Sequence, residues 1–186
     1  MQTSDFKKGL AIKHNGETFI ITQYQFVNPG KGAAFTRVKL KNAKTGKVVE
    51  QTFRSGEQIE EANMEYKKCQ YMYSDGSDFH FMDNATYEQF AIPADIVAEL
   101  ADYMMDGMDV TVVFVDNAPV TLQLPTKMAF KVVSCPPGEK GDTATGGTKP
   151  AEIETGAKVA VPLFIKEGDK IRVNTDTGEY VERANE

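Results

Sequence analysis

Thr18-Phe19-Ile20-Ile21-Thr22, Tyr24-Gln25-Phe26-Val27, Asn28-Pro29-Gly30-Lys31-Gly32 and Phe35-Thr36-Arg37-Val38-Lys39-Leu40 follow one another as strand, turn and strand. The first two pieces are rich in β-branched and aromatic residues. The last alternates apolar and polar at the two-residue period of a half-buried strand. Pro29 fixes one backbone angle, and Gly30 and Gly32 admit left-handed turn conformations, so the stretch predicts a hairpin with an exposed tip. No apolar residue flanks Lys31, so its ammonium is expected to project from that tip. An ordinary turn with a solvated lysine has the same pattern.

The same habit continues outward. Gln51-Thr52-Phe53-Arg54 is a further short strand, with a helical turn expected over Ser55 to Ala62. Cys69 to Tyr73 and Phe79 to Met82 flank Asp75-Gly76, a strong hairpin signal. Asp109 to Val115 and Val120 to Leu124 flank Asp116-Asn117-Ala118-Pro119. Phe130 to Val133, Ala157 to Phe164, and Lys170 to Val173 paired with Glu179 to Arg183 complete the strands, the last pair turning at Asp176-Thr177-Gly178. One helix is expected from Pro93 to about Met105, stopped by Gly107, with Ile96, Val97, Leu100, Tyr103 and Met104 on its core face. Short strands at regular spacing predict an all-β chain of three small β-barrel domains, at 1–64, 65–127 and 128–186. Turn-rich stretches near 62–68 and 125–128 mark the boundaries.

With 186 residues and 41% hydrophobic content, the chain is too apolar to be disordered. No apolar run reaches the roughly 20 residues of a membrane helix. The N-terminus lacks the apolar region of a secretory signal, so a soluble cytoplasmic protein without a membrane partner is expected. The net charge of −6 hides an asymmetry. Residues 1–64 are net +4, residues 65–127 net −8, and residues 128–186 net −2. Between positions 31 and 54, Lys31, Arg37, Lys39, Lys41, Lys44, Lys47 and Arg54 face only Glu50, an excess able to attract a polyanion. Basic and acidic residues that merely solubilise different faces fit the same counts.

Gly141 to Pro150 form a second loop of small residues, whose backbone amides can meet phosphate or which can serve as a linker. It is neither a Walker loop nor a dinucleotide fingerprint. Nothing nominates a catalyst. The two histidines, His14 and His80, belong to no triad, and His80 between Phe79 and Phe81 reads as structural. Cys69 and Cys135 read as free structural thiols, and Asp75, Asp78 and Asp83 lack the spacing of a calcium loop. No enzyme, metal or cofactor is expected. A general single-strand RNA-binding protein remains open on these residues alone.

Pro29-Gly30-Lys31-Gly32-x-Ala34-Phe35 with Arg37-Val38-Lys39-Leu40 resembles the first domain of the bacterial translation elongation factor P family. Gly141-Asp142-Thr143-Ala144, Gly146 to Ala151, Glu154 to Ala157, Val161 to Phe164 and the close Gly178-Glu179-Tyr180-Val181-x-Arg183 resemble its third. The resemblance runs in order along essentially the whole chain. It implies an SH3-like, KOW-type N-terminal barrel and two OB-type barrels in an L-shaped, tRNA-like arrangement. It implies a monomeric, non-enzymatic factor that binds both ribosomal subunits between the peptidyl and exit tRNA sites. Such a factor positions the peptidyl-tRNA, stimulates peptide-bond formation and relieves stalling at consecutive prolines. Lys31, with Pro29, Gly30 and Gly32, matches the tip that reaches the acceptor end. Many members extend this lysine covalently, by β-lysylation for example, which requires a lysine-modifying enzyme. Gly141, Asp142, Thr143 and Ala144 match a contact to the tRNA D-arm. Arg37 and Lys39 join the RNA contacts, and Tyr180 and Arg183 match C-terminal RNA-contact positions. The second-domain Gly-Asp-Asn or Gly-Asp-Val loop of many members has no clean counterpart between Ile92 and Gly107, so exit-site codon reading is not implied.

Overall fold

The computed structural model describes residues 1–138 and 147–184. It is an all-β structure of three five-stranded antiparallel sheets. The first holds β1 (Ala11–His14), β2 (Glu17–Val27), β3 (Phe35–Asn42), β4 (Val48–Arg54) and β5 (Glu60–Glu61), in the order β4-β3-β2-β1-β5. The second holds β6 (Met64–Ser74), β7 (Asp78–Asp83), β8 (Gln89–Pro93), β9 (Asp109–Val115) and β10 (Ala118–Gln123), in the order β10-β9-β6-β7-β8. The third holds β11 (Lys127–Ser134), β12 (Thr148–Ile153), β13 (Lys158–Pro162), β14 (Lys170–Asn174) and β15 (Tyr180–Arg183), in the order β13-β12-β11-β14-β15. The second and third sheets therefore share one strand order.

Turn chemistry sets the hairpins. Asn15 and Gly16 join β1 to β2 with φ of 51° and 80°, and Asp116 and Asn117 join β9 to β10 with φ of 50° and 62°. Two consecutive left-handed residues make the turn whose twist matches antiparallel strands. At the β6–β7 turn, Asp75 Oδ1 accepts the Ser77 and Asp78 amides at 3.0 and 2.8 Å, and Asp75 Oδ2 meets His80 Nε2 at 2.7 Å. The His80 ring stacks on Tyr73 at 4.5 Å. The histidine bond and the amides hold the Asp75 carboxyl well below the usual carboxylate range.

Two strands are buried on both faces, which explains their unbroken apolar runs. In β2, Phe19 and Ile21 enter the first core while Ile20 turns the other way. In β9, Val110, Val112 and Phe114 enter the second core while Val113 and Val115 turn away. Ile20, with Ala11, Ala43 and Ala62, meets Val113, Val115 and Val120 in a fourth cluster that seals the first sheet to the second.

Several expectations are corrected. The helix α1 covers only Ala94–Ala101, and Pro93 ends β8 just before it. Beyond Asp102 the chain splits its side chains: Met104 enters the second core, while Tyr103 and Met105 pack on the third. A single helical face cannot serve two cores, so the helix stops before Gly107. Ser55 to Ala62 is a turn followed by β5 rather than a helical turn. The turn expected over 62–68 is short, because β6 begins at Met64. Thr148 to Pro150 lie in β12 rather than in a loop. Pro150 is tolerated there because β12 pairs β13 alone at that point, β11 joining only at Glu152 and Ile153. Among the described residues, no helix is long and apolar enough to cross a membrane.

Two outcomes follow from this packing. Gly178 has φ of +75°, and a Cβ there would come within 2.9 Å of Tyr103 Oη. Gly178→Ala is expected to cost about 1–3 kcal/mol in urea unfolding, with part recovered in a Tyr103→Phe background; equal costs in both backgrounds would show that the hydroxyl is no obstacle. Asp75, whose pKa is lowered by folding, contributes stability above its unfolded value near 4 that is lost as pH falls below it. Asp75→Asn should therefore flatten the loss of β6–β7 amide protection on acidification below about pH 4, as followed by hydrogen exchange.

Candidate nucleic-acid interface

The β2–β3 hairpin is anchored at one end and free at the other. Ile21 faces Leu40 across the pair, and both are fully buried in the first core. At Thr22 the register shifts by one residue, a bulge that strengthens the local twist. From there Gln23 to Val27 run beside Lys39 to Phe35 without β1: β1 stops pairing at Ile20, and the backbone of Gly9 and Leu10 meets β2 at Ile21. The β2 edge of the stem thus extends past β1 and leaves Tyr24 and Phe26 exposed, while β4 stays paired to β3 as far as Phe35 and Arg54 and Thr36, Val38 and Phe53 stay buried.

Val27 pairs with Phe35 at the base of the tip, and the Ser55 amide donates to the Ala34 carbonyl at 3.0 Å. The tip itself is open. A Cβ at Gly30 would meet nothing within 4 Å, and Gly32 takes φ of +110°, which an L side chain rarely adopts. Lys31 is exposed and forms no ion pair or hydrogen bond among the described residues. Its charge is presented rather than consumed.

The outer face of the stem carries a ladder of cations. Cross-strand rows set Gln23, Lys39 and Glu50 side by side, then Gln25, Arg37 and Thr52, then Val27, Phe35 and Arg54. Lys39, Arg37 and Arg54 therefore stand one per row, about 7 Å apart along the strands. Arg37 Nε lies 3.4 Å from Glu50 Oε1, a half-exposed pair that a phosphate can displace at little cost. Arg54 joins this ladder through its register beside Phe35, which its place at the end of the charge run did not announce. Lys41 does not join it: its Nζ donates to the Ile96 carbonyl at 2.6 Å.

Of the remaining site residues, Tyr180 and Arg183 lie apart from this hairpin, in β15 of the third sheet. Tyr180 packs partly onto the third core, and burial pushes its phenol up. Arg183 is 3.3 Å from Asp169 Oδ1, so its charge is shared. Gly141, Asp142, Thr143 and Ala144 lie outside the described residues. The chain flanking them is fixed: the buried Lys149 Nζ donates to the Pro136 carbonyl at 2.8 Å, and a Cβ on Gly138 would stand 2.7 Å from the Leu163 carbonyl.

No described cluster fits metal or nucleophilic chemistry. Among the described residues no three His, Cys, Asp or Glu come together as metal ligands. Burial, aided by the Asp83 charge, pushes the Cys69 thiol up to about 11, far from a reactive thiolate.

Comparison with known proteins accounts for the full length. Residues 2–59 match the elongation factor P KOW-like domain, residues 64–122 the elongation factor P OB domain, and residues 128–183 the elongation factor P C-terminal domain. Elongation factor P of Moorella thermoacetica is 45% identical over 184 residues, covering 99% of this chain and 100% of its own. That of Coprothermobacter proteolyticus is 49% identical over 183 residues, covering 98% of each. That of Mycolicibacterium smegmatis is 44% identical over 183 residues, again covering 98% of each. With three domain models matched in order and relatives this similar end to end, the chain belongs to the elongation factor P family.

Proposed function

We propose that the Lys31 hairpin is the working end of this factor. The protein is a non-enzymatic translation elongation factor that interacts with the ribosome and tRNA, stimulates peptide-bond formation and relieves stalling at consecutive prolines. The observation that carries the assignment of the tip is an open, unpacked lysine at the far end of a β2–β3–β4 stem that is anchored in the core at Ile21 and Leu40.

Proline is a poor partner in peptide-bond formation because its ring restricts the approach of the reacting groups. The ribosome supplies the chemistry. A factor that holds the donor tRNA in an aligned geometry lowers the entropic part of the barrier without a reacting group of its own. In this reading the Lys31 ammonium lies against the phosphates of the acceptor end, a charge-assisted contact. Pro29, Gly30 and Gly32 shape the tip, and Arg37 and Lys39 follow the RNA backbone along the stem. A lysine-modifying enzyme, adding β-lysine for example, would find Lys31 exposed and with room around it. A longer cationic side chain would reach further between RNA strands.

The three sheets read as an SH3-like, KOW-type barrel over 1–64 and OB-type barrels over 65–127 and 128–186, in an L-shaped arrangement. The shared strand order of the second and third sheets, and the helix between β8 and β9, support the OB assignment. Gly141, Asp142, Thr143 and Ala144 are assigned to the D-arm of the peptidyl-tRNA, with Tyr180 and Arg183 as further RNA contacts. The factor acts as a cytoplasmic monomer between the peptidyl and exit sites, touching both ribosomal subunits.

In a reconstituted translation assay on a reporter with three consecutive prolines, Lys31→Ala should lose most of the rescue while its unfolding free energy changes by less than about 0.5 kcal/mol. Full rescue by Lys31→Ala, beside native protein that also rescues, would remove the tip from the mechanism. Asp142→Ala should weaken stimulation in a manner that depends on the peptidyl-site tRNA; a uniform loss with every tRNA would overturn the D-arm assignment.

A further inference from the structure

The two seams between sheets are built differently. The first and second sheets share a packed apolar cluster from Ile20 to Val113, reinforced by Lys41 Nζ on the Ile96 carbonyl. The second and third sheets share no such cluster among the described residues. Their seam rests on the chain that follows α1. The Asp102 carbonyl accepts the Thr155 hydroxyl at 2.5 Å. Tyr103 leaves its own sheet to lie 6.0 Å from Phe130 in the third core, with Met105 beside it. Gly178 makes room for the Tyr103 hydroxyl. Thr175 ties the connecting chain through its hydroxyl to the Pro125 carbonyl and its amide to the Thr126 carbonyl. Where all three sheets meet, a cavity of about 380 Å³ opens between Ile20, Lys41, Leu100, Leu124 and Thr175.

We propose that the segment from Ala94 to Met105 is a bracket that presets the orientation of the Lys31 hairpin relative to the third sheet, with Tyr103 as its positioning residue. One end of the segment grips the first sheet through Lys41, and the other grips the third through Asp102 and Tyr103. The functional consequence rests on the reading above that the tip and the third sheet both engage RNA in one complex. Two contacts joined by a stiff connector bind as one event. Joined by a loose connector, the second contact must be ordered at the moment of binding, and apparent affinity falls. Once both ends are seated, the geometry at the peptidyl end is restored. A loosened bracket thus weakens binding and spares the maximal effect, the opposite of damage at the tip.

Spin labels at Ser55→Cys and Glu167→Cys, in a Cys135→Ala background, report the distance between the first and third sheets in the free protein. Cys69 is fully buried and its thiol stays protonated, so it escapes labelling. The parent and Tyr103→Phe, which keeps the ring on Phe130, should give one narrow distance distribution. Tyr103→Ala should give a broad one, and Thr155→Val, which removes a single hydrogen bond from an exposed position, an intermediate one. In the triproline assay the factor concentration for half-maximal stimulation should rise on the order of tenfold for Tyr103→Ala. The maximum at saturation should be kept, and Tyr103→Phe should restore parental behaviour. Unchanged distance widths in both Tyr103→Ala and Thr155→Val overturn the bracket. So does a lowered maximum at unchanged half-maximal concentration, which would place Tyr103 in another role. Because the distances are read without the ribosome, failure of the bracket is distinguishable from failure of the elongation reading.

Discussion

The packing of Ile21 against Leu40 is the constraint on which the Lys31 hairpin depends. An isolated two-stranded ribbon is marginal in water, but β4 pairs β3 along the whole stem as a third strand. Here the strands are continuous with a core that includes Phe19, Val38, Phe53 and Ile59, so the stem inherits its direction from buried residues. β2 is clamped on its other face as well, where Ile20 meets the second sheet. The exposed half can then be written in residues suited to RNA, with Gln, Lys and Arg on one face and Tyr24 and Phe26 on the other, without loss of the fold.

The same division of labour runs through the chain. Cations that look equivalent in sequence serve different ends. Lys31 is presented at the tip, and Lys39 and Arg37 line the stem. Lys41 and Lys149 are each tied to a backbone carbonyl. An ammonium that donates to a carbonyl inside the structure bridges segments distant in sequence. The positive charge of residues 1–64 is thereby narrower in effect than its count of +4 implies. Residues 65–127, net −8, contribute little attraction for RNA, and their sheet lies between the other two in the chain.

Much of this was legible in the residues. The Pro29 to Gly32 tip, the alternation from Phe35 to Leu40 and the Asp75-Gly76 turn are local signals, and each formed as read; the turn expected over Asp116 to Pro119 is confined to Asp116-Asn117, because Ala118 and Pro119 already pair with β9. The Asn15-Gly16 turn was equally local and carries the same chemistry; it defines β1, which the alternation of apolar residues alone did not single out. The end of α1 was not legible, because Tyr103 and Met104 continue the helical spacing of Ile96, Val97 and Leu100. Only the presence of a third core decides that Tyr103 turns away. The fates of Lys41 and Lys149 were hidden for the same reason, since their carbonyl partners are set by tertiary contact. Arg54 joins the Lys39 and Arg37 ladder through the register of β4, a long-range property that no local pattern contains.

A photo-crosslinking residue at Ala33, exposed beside the tip and leaving Lys31 in place, tests the account most directly. On ribosomes halted at consecutive prolines, the account expects crosslinks to the 3′-terminal nucleotides of the peptidyl-tRNA. Crosslinks confined to messenger RNA or to ribosomal protein, with none at the acceptor end, would contradict the claim that this hairpin delivers Lys31 to the site of peptide-bond formation.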